Sequence, residues 1–401
     1  VGNWQIEAEK FTPKLRSIVH LGAGRAKTPG DLAQSHIVVT SYQTLLRDIE
    51  LFLELPWTSI VFDEAQIIKN HKTKMWRAMR MLKAESRFCV TGTPIENHLG
   101  ELWAQFDMVM PGLLGTAATF QTVFRKPIEK YADSGALELL QQRIRPFFLR
   151  RSKGDVAIDL PEKTEILERI SFDTAQRDLY ESLRLILDKQ VREALLAKGV
   201  EGSSLIVLDA LLRLRQCCCD PRLVNIPEAR KAKKSAKLDR LMNMLCELES
   251  EGRFTLVFSQ FTSMLELIEQ ECQKLEIGYL KLTGQTRDRE SVIRQFQEGR
   301  APVFLISLKA GGVGLNLTQA DTVIHYDPWW NPAAEAQATD RAHRIGQSKK
   351  VMVYTLVAQN TLEERICTLQ REKQQLTDSA LREGGLSHFG ADDLRALFQS
   401  L

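Results

Sequence analysis

No apolar run in the 401 residues approaches the roughly 20 that a membrane-spanning helix needs. The first residues also lack the basic-then-apolar layout of a secretory leader. No CxxC pair occurs among the seven cysteines, so the common zinc-ligand spacing is absent and a disulfide framework is not expected. Cys217, Cys218 and Cys219 are consecutive. Neighbouring side chains on a helix point about 100° apart and cannot converge on one metal, so buried, reduced thiols are expected. A large excess of one charge is missing too, with 54 Lys and Arg against 51 Asp and Glu. Any nucleic-acid surface must therefore be a local patch. There is no short internal repeat and no low-complexity tract. These absences point to an intracellular, globular protein.

A chain this long exceeds one ordinary core, so two domains or slightly more are expected. Short β-branched runs fill the first hundred residues: "SIVHL" from 17, "HIVVT" from 36, "SIVFD" from 59 and "RFCVT" from 87. The same texture returns in "TLVFS" from 255, "GYLKLT" from 278, "VFLIS" from 303, "TVIHY" from 322 and "VMVYTL" from 351. Apolar strands separated by helices predict parallel sheets covered on both faces. Between them, long amphipathic stretches dominate. In "TAQRDLYESLRLILDKQVREALLAKG" from 174, the residues Leu179, Leu183, Leu185, Ile186 and Leu187 read as a helical stripe. The run Arg230, Lys231, Lys233, Lys234 and Lys237 reads as a solvated linker before another helix. The reading divides the chain into an α/β unit over 1–111, a helical middle over 112–250, a second α/β unit over 251–365 and a helical extension over 366–401.

Ligands of open parallel sheets bind at the carboxyl ends of the strands. Asp63 and Glu64 follow "SIVF". Such a pair suits a nucleotide site, one carboxylate holding Mg²⁺ through water and the next orienting the attacking water, although many acidic pairs at strand ends are plain loops or caps. "TGTPIEN" follows the next strand, a polar turn beside the acidic pair in the predicted sheet. "LKAGGVGLNL" follows "VFLIS", and Gly311, Gly312 and Gly314 would let the backbone approach a phosphate or sugar closely. This loop is neither a Walker A nor a dinucleotide fingerprint, and a simple glycine turn explains it equally well. Asn331-Pro332 starts a helix that no breaker interrupts before Gly346. Along it Gln337, Arg341 and Arg344 would fall within about 60° of one another. That stripe is either a wet surface or the cradle of an anion.

Taken together and in this order, these segments resemble the Snf/Swi family of helicase-like ATPases in helicase superfamily two. The resemblance covers nearly the whole chain: "NWQIEAEKF", "VVTSYQTL", "FDEAQIIKN", "TGTPIENHLGELW", "PFFLRRSKGDVAIDLPEKTE", "LRQCCCDPRLV", "LVFSQF", "SLKAGGVGLNLTQADTVIHYDPWWNP" and "QATDRAHRIGQ". It implies an α/β fold of two RecA-like parallel-sheet lobes with a helical insertion and bridge, the nucleotide lying between the lobes. It also implies an ATP-driven double-stranded DNA translocase that remodels or displaces protein–DNA complexes, with ATP and Mg²⁺ as cofactors. Asp63 matches the Mg²⁺-associated carboxylate, Glu64 the water-activating one, and Arg341 and Arg344 the arginine fingers. Gln66, Gln337 and Gly314 match further nucleotide contacts, Gln66 standing where many relatives carry histidine. Ser41, Tyr42, Lys309, Gly311, Gly312 and Asn316 match DNA contacts. Trp329 and Trp330 would touch DNA, steer the following helix, or only pack. No G-x-x-x-x-G-K-[ST] occurs anywhere. The family's phosphate-cradling loop precedes the "NW" segment, so a fragment that hydrolyses ATP poorly is expected. The alternatives are a nucleotide-incompetent DNA-binding module and a true strand-separating helicase. A monomer acting in the nucleoid of a prokaryote or the nucleus of a eukaryote is expected, with no membrane partner.

Overall fold

The computed structural model describes residues 2–92, 94, 95, 98–151, 160–226, 229, 234–311 and 315–368. They form two compact units, one built from Val1–Arg150 and one beginning at Arg151. Both are parallel α/β structures, as the strand texture predicts. In the first, β1 (Ser17–His20) pairs with β2 (Ile37–Thr40), and β3 (Trp57–Asp63) with β4 (Ala84–Val90). The core is sealed by Phe62, Ala65, Ile68, Met79 and Trp103, joined by Phe120, Phe124, Ile128 and Leu140 from the helices that follow. Residues 112–150, read as part of the middle segment, thus pack into the first unit. One face of the β3–β4 pair stays open: Val61, Phe88 and Val90 are 50%, 53% and 47% exposed.

The second unit holds a six-stranded parallel sheet, ordered β5-β10-β9-β6-β8-β7. Its strands are β5 (Lys163–Ile170), β6 (Thr255–Ser259), β7 (Tyr279–Leu282), β8 (Val303–Ser307), β9 (Thr322–His325) and β10 (Val351–Ala358). Successive residues feed opposite faces. Leu256 and Phe258 enter one core with Phe304, Ile306 and Val323, while Val257 enters the other with Leu305 and Ile324. The sequence texture missed β5. Its "KTEILERI" carries four charged residues, which an edge strand with solvent on one side tolerates.

A long helix of the second unit spans Thr174–Cys219 with a break at Gly199, whose φ of 67° needs a residue without Cβ. Its buried stripe is Leu179, Leu183, Leu187 and Val191. Leu185 and Ile186, read into that stripe, are instead exposed. Cys217, Cys218 and Cys219 are fully buried. Burial pushes the Cys217 thiol up to about 12 and raises the other two well above the usual thiol range, which keeps them protonated.

Arg230, Lys231 and Lys233 lie outside the described residues, but Lys237 corrects the reading of a solvated run. It sits in the first turn of the helix Ala236–Ser250, and its ammonium donates to both oxygens of Glu363 at 2.8 Å with neither side chain exposed. Burial alone would lower the ammonium's pKa; the Glu363 carboxylate, together with other surrounding groups including Asp327, raises it overall and holds the charge. Glu363 also accepts from the Ala358 N–H, which ties the helix to the end of β10. Removing one partner leaves an uncompensated buried charge. Glu363→Ala should therefore destabilise the second unit by about 3–5 kcal/mol, whereas Lys237→Met with Glu363→Leu should recover most of the loss. Guanidinium unfolding read by hydrogen exchange on this unit checks both; a loss in Glu363→Ala below about 1 kcal/mol would contradict the pair's role.

Candidate active site

Asp63 closes β3, and the ladder sets it opposite Val90 at the end of β4. Parallel neighbours finish on the same edge, so Glu64 and Thr91 emerge side by side. Glu64 adopts φ 51° and ψ 50°, a left-handed conformation that costs a non-glycine residue roughly 1–2 kcal/mol. The chain turns there into the short helical segment Ala65–Ile68, pegged by the fully buried Ala65 and Ile68. The Gln66 amide donates to Glu64 Oε2 at 2.8 Å, and its carbonyl accepts from the Thr91 hydroxyl at 2.7 Å. One side chain therefore joins the acidic turn to the polar turn after β4.

Asp63 is held from three sides. Its Oδ1 accepts from the Glu64 N–H at 3.0 Å, its Oδ2 from the Trp4 indole at 2.8 Å, and its carbonyl from the Tyr42 hydroxyl at 2.8 Å. Burial, with the negative charge of Asp63 and Glu64 nearby, holds the Tyr42 phenol far above its usual range, so it stays a donor. Ser41 caps the helix Tyr42–Arg47, its hydroxyl accepting from the Thr44 N–H and donating to Thr44 Oγ1.

Among the described residues no three His, Cys, Asp or Glu side chains gather around a point that could hold a metal. Asp63 and Glu64 fit Mg²⁺ in the way phosphate-handling sites do, with one or two carboxylates and the other positions filled by water and phosphate oxygens.

In the second unit the helix Pro332–Thr339 starts as expected, with Asn331 as N-cap accepting from the Ala333 N–H and Pro332 at its first position. It does not continue to Gly346. Gln337 lies on it, half-buried, but Arg341 and Arg344 lie beyond its end, so the expected stripe is not formed. Tertiary hydrogen bonds end the helix. The Arg341 carbonyl accepts from the Leu317 N–H at 2.9 Å, and the Gln347 amide donates to the carbonyls of Thr318, Ala320 and Ala342. His325 Nε2 bonds the Thr339 hydroxyl at 2.9 Å and fixes the last helical residue. Arg341 is consequently buried at 8% exposure, while Arg344 is half-buried. Lys309 and Asn316 are exposed, and Gly311 ends the short helix Leu308–Gly311. Gly312 and Gly314 lie outside the described residues.

The helix start is pinned by a side chain with no local signal of its role. Arg215, near the end of the helix Thr174–Cys219, donates to Gln260 Oε1 at 2.8 Å and to the Pro328 carbonyl at 2.5 Å, with Asp327 Oδ2 at 3.6 Å. Its guanidinium lies 5.4 Å and 5.6 Å from the rings of Trp329 and Trp330. Asp327 in turn accepts from the Ser259 hydroxyl at 2.5 Å, joining the ends of the adjacent β6 and β9. Arg215 has partners 45 and 113 residues away, and no local pattern announces them.

Residues 1–223 match the SNF2-related domain and residues 236–346 the helicase conserved C-terminal domain. The chain belongs to the SNF2 family. Bacillus subtilis YwqA is 39% identical over 411 residues, covering 99% of this chain and 44% of that protein. The human SWI/SNF-related matrix-associated actin-dependent regulator of chromatin subfamily A member 1 is 35% identical over 404 residues, covering 96% of this chain and 38% of its own length. The chain thus spans less than half of these relatives. Among solved structures, a Sulfolobus solfataricus SWI2/SNF2 ATPase core in complex with double-stranded DNA is 35% identical, with 95% of this chain and 80% of that chain covered and a TM-score of 0.46.

Burial lowers the His325 imidazole from 6.5 to about 4, so the folded second unit keeps it neutral. The unfolded chain binds a proton below about pH 6.5 that the folded unit refuses until about pH 4. Stability is therefore full above pH 6.5 and falls as pH drops through that window, by up to about 1.4 kcal/mol per unit. His325→Gln should flatten this part of the slope; an unchanged slope in denaturant titrations from pH 7 to 4.5 would assign it elsewhere.

Proposed function

We propose that this chain is the motor core of an ATP-dependent translocase on double-stranded DNA, which remodels or displaces bound proteins without needing to separate strands. The observation that carries the reading is the joined pair of strand-end turns: Glu64 and Thr91, held together by Gln66 beside a fixed Asp63. Glu64 is assigned to accept the proton of an attacking water, with the Gln66 amide orienting its carboxylate. Asp63 is the carboxylate for Mg²⁺, which supplies charge neutralisation at the phosphates. Arg344 and Arg341 supply positive charge to the transferring phosphoryl group. Arg344 is the more accessible of the two, so it is assigned the larger share. Gln337 and Gly314 complete the nucleotide contacts. Ser41, Tyr42, Lys309, Gly311, Gly312 and Asn316 are assigned to DNA phosphates, which suits a chain with a near-balanced total charge. The relatives' names support the activity: the Bacillus protein is named as a candidate ATP-dependent helicase/translocase and the human one as a regulator of chromatin. Action as a monomer, in a nucleoid or a nucleus, belongs to the same proposal.

One feature favours a second reading for the chain by itself. Its 401 residues contain no G-x-x-x-x-G-K-[ST], the loop whose N–H groups, lysine and hydroxyl hold phosphates and Mg²⁺. Without those groups Asp63 and Glu64 repel a triphosphate, so the isolated chain should bind ATP weakly and act as a DNA-binding module.

In a form extended to carry such a loop, Glu64→Gln should abolish hydrolysis while ATP still binds. Arg344→Ala should lower DNA-stimulated turnover by roughly three orders of magnitude. Near-wild-type turnover by Glu64→Gln would remove its assigned role, and a pure DNA-binding defect in Arg344→Ala would move that residue to the nucleic acid.

DNA affinity should tolerate changes of sequence and fall steeply with salt, because the contacts are to phosphates. Anisotropy titrations of unrelated duplexes at several salt concentrations check this. Strong discrimination between duplexes would contradict it, and single strands stimulating hydrolysis more than duplexes would favour the strand-separating alternative.

A further inference from the structure

The motif containing Trp4 has no part in the assignments above, yet its one polar atom reaches across 59 residues to the acidic turn. Trp4 lies on the helix Gly2–Phe11 and is 46% exposed, so packing alone does not account for its position. An indole N–H can only donate, and a carboxylate oxygen is its strongest partner here. The second hold on the same residue is the Tyr42 hydroxyl on the Asp63 carbonyl. Tyr42 opens the helix Tyr42–Arg47, and the hydroxyl of its N-cap Ser41 is committed to Thr44. The turn at Ser41 and Tyr42 is therefore stiff, and a displacement of it moves the phenol oxygen as well.

We propose that Trp4 and Tyr42 are positioning residues for Asp63, and that Tyr42 transmits the DNA-bound state of its turn to the acidic centre. The inference rests on the reading that this turn meets DNA phosphates. Three segments far apart in sequence meet at one residue: Trp4 fixes the carboxylate, the Glu64 N–H fixes its other oxygen, and Tyr42 fixes the peptide that leads into the left-handed Glu64. That peptide is the pivot of the turn. A shift in the hydrogen bond to its carbonyl re-aims Asp63 and Glu64 together, and the Trp4 indole reports the change because it shares the Asp63 carboxylate.

The 401-residue chain contains six tryptophans, so ¹⁵N-tryptophan labelling gives six indole signals, and Trp4→Phe identifies the one from Trp4. Asp63→Asn should move the Trp4 signal upfield and quicken its exchange with water. Saturating duplex DNA, with saturation established by anisotropy, should shift the Trp4 signal in the wild-type chain; in Tyr42→Phe, at saturating DNA, that shift should be lost. An Asp63→Asn variant with an unmoved Trp4 signal would overturn the hold on the carboxylate. A bound duplex that leaves Trp4 unmoved, or moves it equally in Tyr42→Phe, would overturn the transmission. Failure of any duplex to bind would overturn the DNA reading and the transmission with it, while the Asp63→Asn comparison would still decide the hold.

Discussion

The first unit's two strand-end turns are joined by one amide. Two adjacent parallel strands finish about 4.8 Å apart on one edge, but backbone pairing stops where they end, and the turns beyond would otherwise move independently. Gln66 closes that gap. A carboxamide has a donor and an acceptor at fixed separation, so it can hold the Glu64 carboxylate with one and the Thr91 hydroxyl with the other. It does not titrate, so the link keeps its polarity at every pH. The left-handed Glu64 is tolerable only because neighbours over-determine it: the buried Ala65 and Ile68 anchor one side, and the bonds to Asp63 anchor the other.

The second unit solves a different problem, placing a short helix and the arginines after it. It does so with buried polar groups. Arg215 and Asp327 fix where the helix Pro332–Thr339 begins; His325 and Gln347 fix where it stops. Each of these groups is costly to bury and more costly to leave without a partner, so departures from the arrangement are penalised steeply. Lys237 and Glu363 serve the same end, tying the helix Ala236–Ser250 to β10. The arginines are thus held by a scaffold rather than by a continuous helix.

Much of this architecture is legible in the sequence because the strands are apolar and the acidic pair, polar turn and glycine loop each follow one. What is illegible depends on partners distant in the chain. Nothing local in "ATDRAHRIGQ" says that a carbonyl at Arg341 will be taken by Leu317, so helical periodicity runs on past Thr339 where the protein does not. Lys237 reads as solvent-facing because it follows a basic run, and its counter-charge is 126 residues away. The edge strand β5 carries the charges of a loop. Trp4 sits in a recognisable motif, yet its target, the Asp63 carboxylate, can be found only once the fold brings them together.

If Gln66 makes the acidic turn and the Thr91 turn one unit, as its two hydrogen bonds imply, removing its amide must uncouple them. DNA-stimulated ATP turnover of Gln66→Met, in a form carrying the phosphate-binding loop, measures that coupling, since methionine keeps the length of the side chain but neither hydrogen bond. Stimulated turnover should fall by about a hundredfold or more, the scale of a misplaced general base, with ATP affinity retained. Turnover and stimulation equal to the wild-type protein would contradict it.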